Sequence, residues 1–164
     1  MAGLAPAIYV SAMGDRPDAI YTIGYEGADV TRFVAALKRA GVTLVLDIRA
    51  IPASRKKGFS KSPIAAHLAE AGIAYRHLRG LGTPKPGREA ARRGDIATFE
   101  DIFRAHLEEP EALLDFGEAC ELAQAEPVCL LCMERDPLRC HRLIVAERMA
   151  AKTGQAIDHL FAEE

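Results

Sequence analysis

Apolar and polar positions alternate in blocks along most of the chain. Residues 20–25 form a short apolar run, closed by the Gly24 and Gly27 pair, and read as a first strand. Asp29 or Thr31 can cap a following helix, whose apolar stripe is Val30, Phe33, Val34 and Leu37. Gly41 is placed to stop it. Residues 42–48 are nearly all apolar, as in a strand covered on both faces, and the run ends in Asp47 and Arg49. Residues 50–61 read as a loop, punctuated by Pro52 and Gly58. Ser62 followed by Pro63 is a helix-start signal, with Ile64, Leu68 and Ala71 as the buried stripe and Gly72 as the stop. Residues 73–77 give a third strand. Residues 78–93 are too long for a bare connection and point to function or to a small helix within them. Phe99, Ile102, Phe103, His106 and Leu107 share a helical face. After Pro110, the residues Leu113, Phe116, Cys120 and Ala123 predict another. Residues 128–132 read as a buried strand. A last helix runs to about Thr153 before Gly154, and residues 156–160 suit a short edge strand.

Strands and helices in this order predict an α/β fold. The expectation is one domain over residues 20–164, with a mostly parallel central sheet of four or five strands and helices on both faces. Residues 1–19 read as a flexible leader. They lack the basic start of a signal peptide. No run of about 18 apolar residues is present, so no membrane span is expected.

A net charge of −2 and a pI near 6.2 argue against a protein that coats polyanions. The charges are segregated, however. Five basic residues and no acidic one lie between Arg49 and Lys61, whereas ten acidic and one basic lie between Gly94 and Glu126. Basic loops brought together would make a local anion site. Four cysteines at irregular spacing, without an export signal, suggest reduced thiols and a cytoplasmic location.

The densest chemistry lies in residues 128–142, VCLLCMERDPLRCHR. A strand, a polar loop and a helix start are the parts from which open α/β sheets build ligand sites, at the carboxyl ends of the strands. Cys132, Glu134, Cys140 and His141 are the candidate catalytic groups. Cys140 is expected in the first turn of the last helix, where the dipole and Arg142 would favour its thiolate. Glu134 could act as a general base if desolvated. Tyr25, Glu26, Asp47, Arg49, Arg55, Lys61, His77, Arg79 and Arg142 sit at or near other predicted strand ends and are candidate ligand binders. Salt bridges between these carboxylates and arginines, and core packing of Tyr25 and Phe59, are the structural alternatives.

Cys129 and Cys132 are three apart on a strand and point to opposite faces, which disfavours a four-ligand zinc site. Cys132, Cys140 and His141 can still converge. A phosphatase loop needs an arginine after five intervening residues, and Arg139 comes one residue late for Cys132. No dinucleotide or phosphate-loop glycine pattern is present. No cofactor and no bound metal are therefore expected.

YTIGYEG, LDIRAIPASR, GFSK, AGIAYRHLRGLGTP and LLCMERDPLRCHR occur in an order that closely resembles domain-of-unknown-function family 488, over roughly residues 20–150. The resemblance implies a compact bacterial-type α/β domain and supplies no reaction. The reading of the residues is a small enzyme acting on a phosphorylated or nucleotide-like anion. The alternatives are a non-catalytic nucleotide or nucleic-acid module, and a metal-dependent thiol site. No membrane partner is expected, and the oligomeric state is left open.

Overall fold

The computed structural model describes residues 16–162. Most of the expected leader, residues 1–15, lies outside the described residues. Five strands form one parallel sheet: β1 (Ala19–Gly24), β2 (Leu44–Asp47), β3 (Ala74–His77), β4 (Val128–Cys132) and β5 (Ala156–Phe161), in the order β3-β2-β4-β1-β5. Six α-helices cover it among the described residues: α1 (Val30–Ala40), α2 (Lys61–Glu70), α3 (Lys85–Arg92), α4 (Ile96–His106), α5 (Pro110–Ala125) and α6 (Arg142–Thr153). Two short 3-10 turns span Arg79–Leu81 and Pro137–Arg139.

Right-handed crossovers explain the layers. The chain moves one way across the sheet from β1 to β3, and α1 and α2 therefore share a face. It returns through β4 to β5, placing α3 to α6 on the other. Each face has its own core. Phe33, Val45, Ile64, Leu68, Cys129 and Leu131 pack on the α1–α2 side. Leu46, Phe103, Ala119, Leu130, Val145 and Met149 pack on the other. All five residues of β4 are buried, alternating between the two cores, as an apolar strand covered on both faces requires.

Several local expectations are corrected. α2 starts at Lys61 with Ser60 as its cap residue, not at Pro63. Pro63 is tolerated because the first four helical N–H groups have no intrahelical acceptor. Residues 78–93 contain the Arg79–Leu81 turn and the whole of α3. On α5, Leu113 is exposed while Ala112, Ala119, Cys120 and Ala123 are buried. The cause is close approach: a Cβ on Gly80 would lie 2.7 Å from the Glu111 carbonyl oxygen, so α5 meets that turn through small residues. The Asp136–Pro137 start signal nucleates only the short turn, with Asp136 Oδ1 accepting from Leu138 N at 2.9 Å. The chain then extends at Cys140 (φ −133°, ψ 146°), and α6 begins at Arg142. Cys140 therefore lies outside the first helical turn.

Candidate functional site

β4 is central, and its exit loop turns toward α6 while the exits of its neighbours β1 and β2 turn toward α1 and α2. That reversal opens a crevice at the carboxyl edge, where ligands bind in such sheets. The backbone ties its walls together: Glu26 N donates to the Met133 carbonyl at 2.9 Å, and Ile48 N to the Leu131 carbonyl at 3.1 Å.

Two polar clusters occupy this edge. The first lies on the α1–α2 side. Buried Arg49 grips buried Asp47 with Nε at 2.9 Å from Oδ1 and Nη2 at 2.7 Å from Oδ2. Such a two-point pair is strong because both partners are charged and their planes match. Arg49 also donates to the Phe59 carbonyl at 2.7 Å. Tyr75 donates its hydroxyl hydrogen to Asp47 Oδ2. Burial, then the bond to Asp47, pushes the Tyr75 hydroxyl well above its ordinary pKa. For Arg49, burial acts to lower the pKa and the bond and charge of Asp47 outweigh it, so the guanidinium stays charged. Tyr25 is buried, stacks on Phe59 at 4.6 Å and lies beneath the Arg49 guanidinium.

The second cluster lies on the α3–α6 side. Cys132 and Cys140, eight residues apart, meet sulfur to sulfur as a disulfide, with Cα atoms 7.4 Å apart. Two of the four cysteines thus depart from the expectation of reduced thiols. They meet because the Pro137–Arg139 turn folds the β4 exit back over the strand end. Cys120 and Cys129 are free and buried, and burial holds both thiols above their ordinary pKa.

His141 stands beside the pair. Its Nε2 is 2.7 Å from the Ile48 carbonyl oxygen. A carbonyl can only accept, so Nε2 carries the proton and Nδ1 presents a bare lone pair. Nδ1 is 3.6 Å from Cys140 Sγ. Burial brings the His141 pKa down to about 4, so the ring is neutral near pH 7.

Arg142 is wholly buried, with the charges of Glu134 and Asp136 near it. Its Nε donates to Thr22 Oγ1 at 3.1 Å, its Nη1 to Cys132 Sγ at 3.1 Å and to the Glu134 carbonyl, and its Nη2 to the Arg135 carbonyl at 3.0 Å. Burial lowers its pKa. Thr22 in turn meets His159 Nδ1 at 2.5 Å. Glu134 is half-buried, its Oε1 3.9 Å from Cys132 Sγ, and burial raises its pKa.

The candidate residues divide accordingly. Cys132, Glu134, Cys140, His141 and Arg142 come together. Asp47, Arg49 and Tyr25 form the adjoining cluster. His77 joins it through Nε2, 2.7 Å from the Arg49 carbonyl oxygen. The two clusters are joined through the backbone of Ile48 and Arg49, whose carbonyls accept from His141 and His77. Glu26 is exposed and accepts from Arg135 N at 3.1 Å. Arg55 and Lys61 are exposed on the loop and helix start after β2. Arg79 is exposed and lies 3.6 Å from Glu111, at the start of α5. Three participants escaped the sequence reading: Thr22, Tyr75 and His159. A threonine inside the apolar run of β1 was a signal for Thr22. Tyr75 and His159 needed the strand register, which pairs Val45 with Tyr75 and Thr22 with His159.

A parallel α/β sheet with paired thiols in its edge crevice defines the class. The chain belongs to the family described as domain of unknown function DUF488, whose model matches residues 29–149. No curated protein and no solved structure matches it.

Proposed function

We propose that this chain is a small thiol-dependent redox enzyme, with Cys132 and Cys140 as the reacting pair and a small anionic oxidant as substrate. The observation that carries the reading is the position of the two sulfurs, touching each other between the Arg142 guanidinium and the bare Nδ1 of His141. A guanidinium donating to a sulfur favours the thiolate, which is the nucleophile in thiol chemistry. Cys132 is wholly buried and Cys140 is 5% exposed, which suits a small oxidant better than a protein disulfide.

With a hydroperoxide the electrons balance as follows. The Cys132 thiolate attacks the terminal oxygen. An S–O bond forms, the O–O bond breaks, and the leaving oxygen takes a proton to become an alcohol or water. The Cys140 thiolate then attacks Cys132 Sγ, forming S–S and releasing hydroxide, which is protonated to water. Two thiols lose two electrons and the peroxide gains them. An external thiol regenerates the pair by exchange. Arg55, Lys56 and Lys57 on the loop leaving β2 and Lys61 at the start of α2, all exposed, favour an oxidant with negative charge. A phosphorylated or nucleotide-like ligand would meet the same cations.

The test uses protein reduced and stripped of metal with a chelator. Addition of hydrogen peroxide or an anionic organic hydroperoxide, with phosphate and nucleotides as competitors, should remove two of the four thiols and leave the chain two hydrogens lighter. Cys140→Ser should stop at a sulfenic acid on Cys132. Retention of all four thiols, or oxidation only between chains, overturns the reading.

A further inference from the structure

We propose that the reduced Cys132, Cys140 and His141 form a binding site for a soft divalent cation, zinc in the first instance, with a fourth coordination position left open beside Glu134. The proposal rests on the same thiol pair as the redox reading and adds a ligand to it.

The donor atoms are already gathered. Cys132 Sγ, Cys140 Sγ and a ring nitrogen of His141 all lie within 4.8 Å of one another. Zinc–sulfur bonds of roughly 2.3 Å and zinc–nitrogen bonds of roughly 2.0–2.1 Å at tetrahedral angles put a sulfur and a nitrogen ligand roughly 3.5 Å apart. Cys140 Sγ and His141 Nδ1 are 3.6 Å apart. Two sulfur ligands would stand roughly 3.8 Å apart by the same geometry. The cysteine Cα atoms are 7.4 Å apart, wider than the roughly 4.4–6.8 Å usual for bridged pairs. The sulfurs can therefore part to that distance by side-chain rotation.

The surroundings are those of a ligand set. A metal-bound histidine characteristically gives its other N–H to a carbonyl or carboxylate, which fixes the tautomer and aims the lone pair. His141 does this with the Ile48 carbonyl at 2.7 Å. Each sulfur accepts an N–H: Cys132 from Arg142 Nη1 at 3.1 Å, and Cys140 from the Arg142 backbone at 3.4 Å. Phe103 and the His141 ring pack edge to face, with centroids 5.3 Å apart, which holds the imidazole in place. Two thiolates and a neutral imidazole cancel the charge of one divalent cation, so the buried Arg142 gains no unbalanced neighbour. Soft thiolate ligands with one imidazole select zinc over magnesium or calcium. Three protein ligands and an open position are the arrangement of catalytic zinc sites rather than structural ones. Glu134 Oε1, 3.9 Å from Cys132 Sγ, borders that position.

The proposal also gives the disulfide a consequence. Bonding the two sulfurs to each other removes two of three ligands, so oxidation and metal binding exclude one another.

Cobalt and zinc titrations of the chelator-treated, reduced full chain test this. Cobalt should give thiolate-to-metal charge-transfer bands and tetrahedral ligand-field bands, saturating at one ion per chain, and zinc should displace it. X-ray absorption at the zinc edge of the wild-type protein should report two sulfurs, one nitrogen and one light atom. Cys132→Ser, Cys140→Ser and His141→Ala should each weaken binding by more than the roughly 10–100-fold typical of losing an outer-shell partner. Circular dichroism establishes that each variant is folded. Protein oxidised beforehand should bind no ion. Absence of charge-transfer bands in folded, reduced wild type overturns the site, as does a sulfur count other than two. Thiol oxidation in metal-free protein is read independently. Oxidation without metal binding removes the site and keeps the redox reading, and metal binding without oxidation does the reverse.

Discussion

Arg142 holds the site together more than any other single side chain. It is wholly buried and donates to a threonine hydroxyl, a sulfur and two consecutive carbonyls. The carbonyls belong to Glu134 and Arg135, so the guanidinium fixes the loop leaving β4 as well as the sulfur below it. Arg49 plays the matching part on the other face, tying the end of β2 to the Phe59 carbonyl. Both arginines were expected as anion binders. Their donors instead go largely to protein acceptors, which leaves Arg55 and Lys61 as the exposed basic candidates after β2. A hydrogen bond to a charged group contributes roughly 1.5–3 kcal/mol, and acceptors left buried without a partner add their own cost. Arg142→Ala should therefore destabilise the protein by at least ~3 kcal/mol in urea unfolding, with faster amide exchange across residues 133–136. Arg142→Lys should recover only part of this, because one ammonium cannot fork across four acceptors. An alanine variant as stable as wild type, with unchanged exchange in that loop, would show that the loop holds its shape without the guanidinium.

At the scale of elements, the close contact between β1 and the β4 exit sets the crevice. A Cβ on Gly24 would lie 1.7 Å from the Glu134 carbonyl oxygen, the same carbonyl that accepts from Arg142. Overpacking a tight site costs roughly 1–3 kcal/mol, occasionally more, and backbone on both sides leaves little room to relax. Gly24→Ala should lower stability by at least ~2 kcal/mol and displace the 133–136 loop, read by unfolding and by loss of peroxide reactivity at Cys132. A stable, fully reactive variant would mean that the loop moves freely.

The elements themselves were largely legible. Apolar runs marked β1, β2 and β4, the mixed stretches 73–77 and 156–160 were read as the two further strands, and Asp29, Gly41, Pro110 and Gly154 marked helix ends where the structure has them. The start of α2 was misplaced because Ser60 and Ser62 carry the same local signal. Cys140 was misplaced because a capping signal cannot tell a single 3-10 turn from a helix. The convergence of Cys132, Cys140 and His141 was legible only as a geometric option, since it depends on how far that turn folds back. The pairing of Arg49 with Asp47 was legible only as an alternative to anion binding, and the commitment of Arg142 to carbonyls was not legible, because a basic residue at a strand end has the same pattern whether it faces a ligand or a carbonyl.

For the whole molecule, the thiol pair joins residues only eight positions apart in a chain with two separate apolar cores. The chain-entropy contribution of a cross-link rises slowly with loop size, and for a loop this short it is about 2–3 kcal/mol at most. The cores, one on each face of a sheet whose central strand is fully buried, supply the rest of the stability. The reduced protein should therefore keep its helical and strand content and unfold cooperatively, with a midpoint no more than ~10 °C below that of the oxidised form. Thermal unfolding by circular dichroism with and without a non-chelating reductant, at fixed protein concentration and in the presence of a chelator, measures this. A redox pair requires both states to be folded, so this outcome is a condition of the proposed chemistry. Collapse of the fold on reduction would make the bond a structural staple, and the residues around it would then be explained by stability instead of by reaction. A small shift with full reversibility would show both redox states to be folded, and the contacts of Arg142 Nη1 and His141 Nδ1 with the sulfurs would then not be explained by the cross-link's contribution to stability.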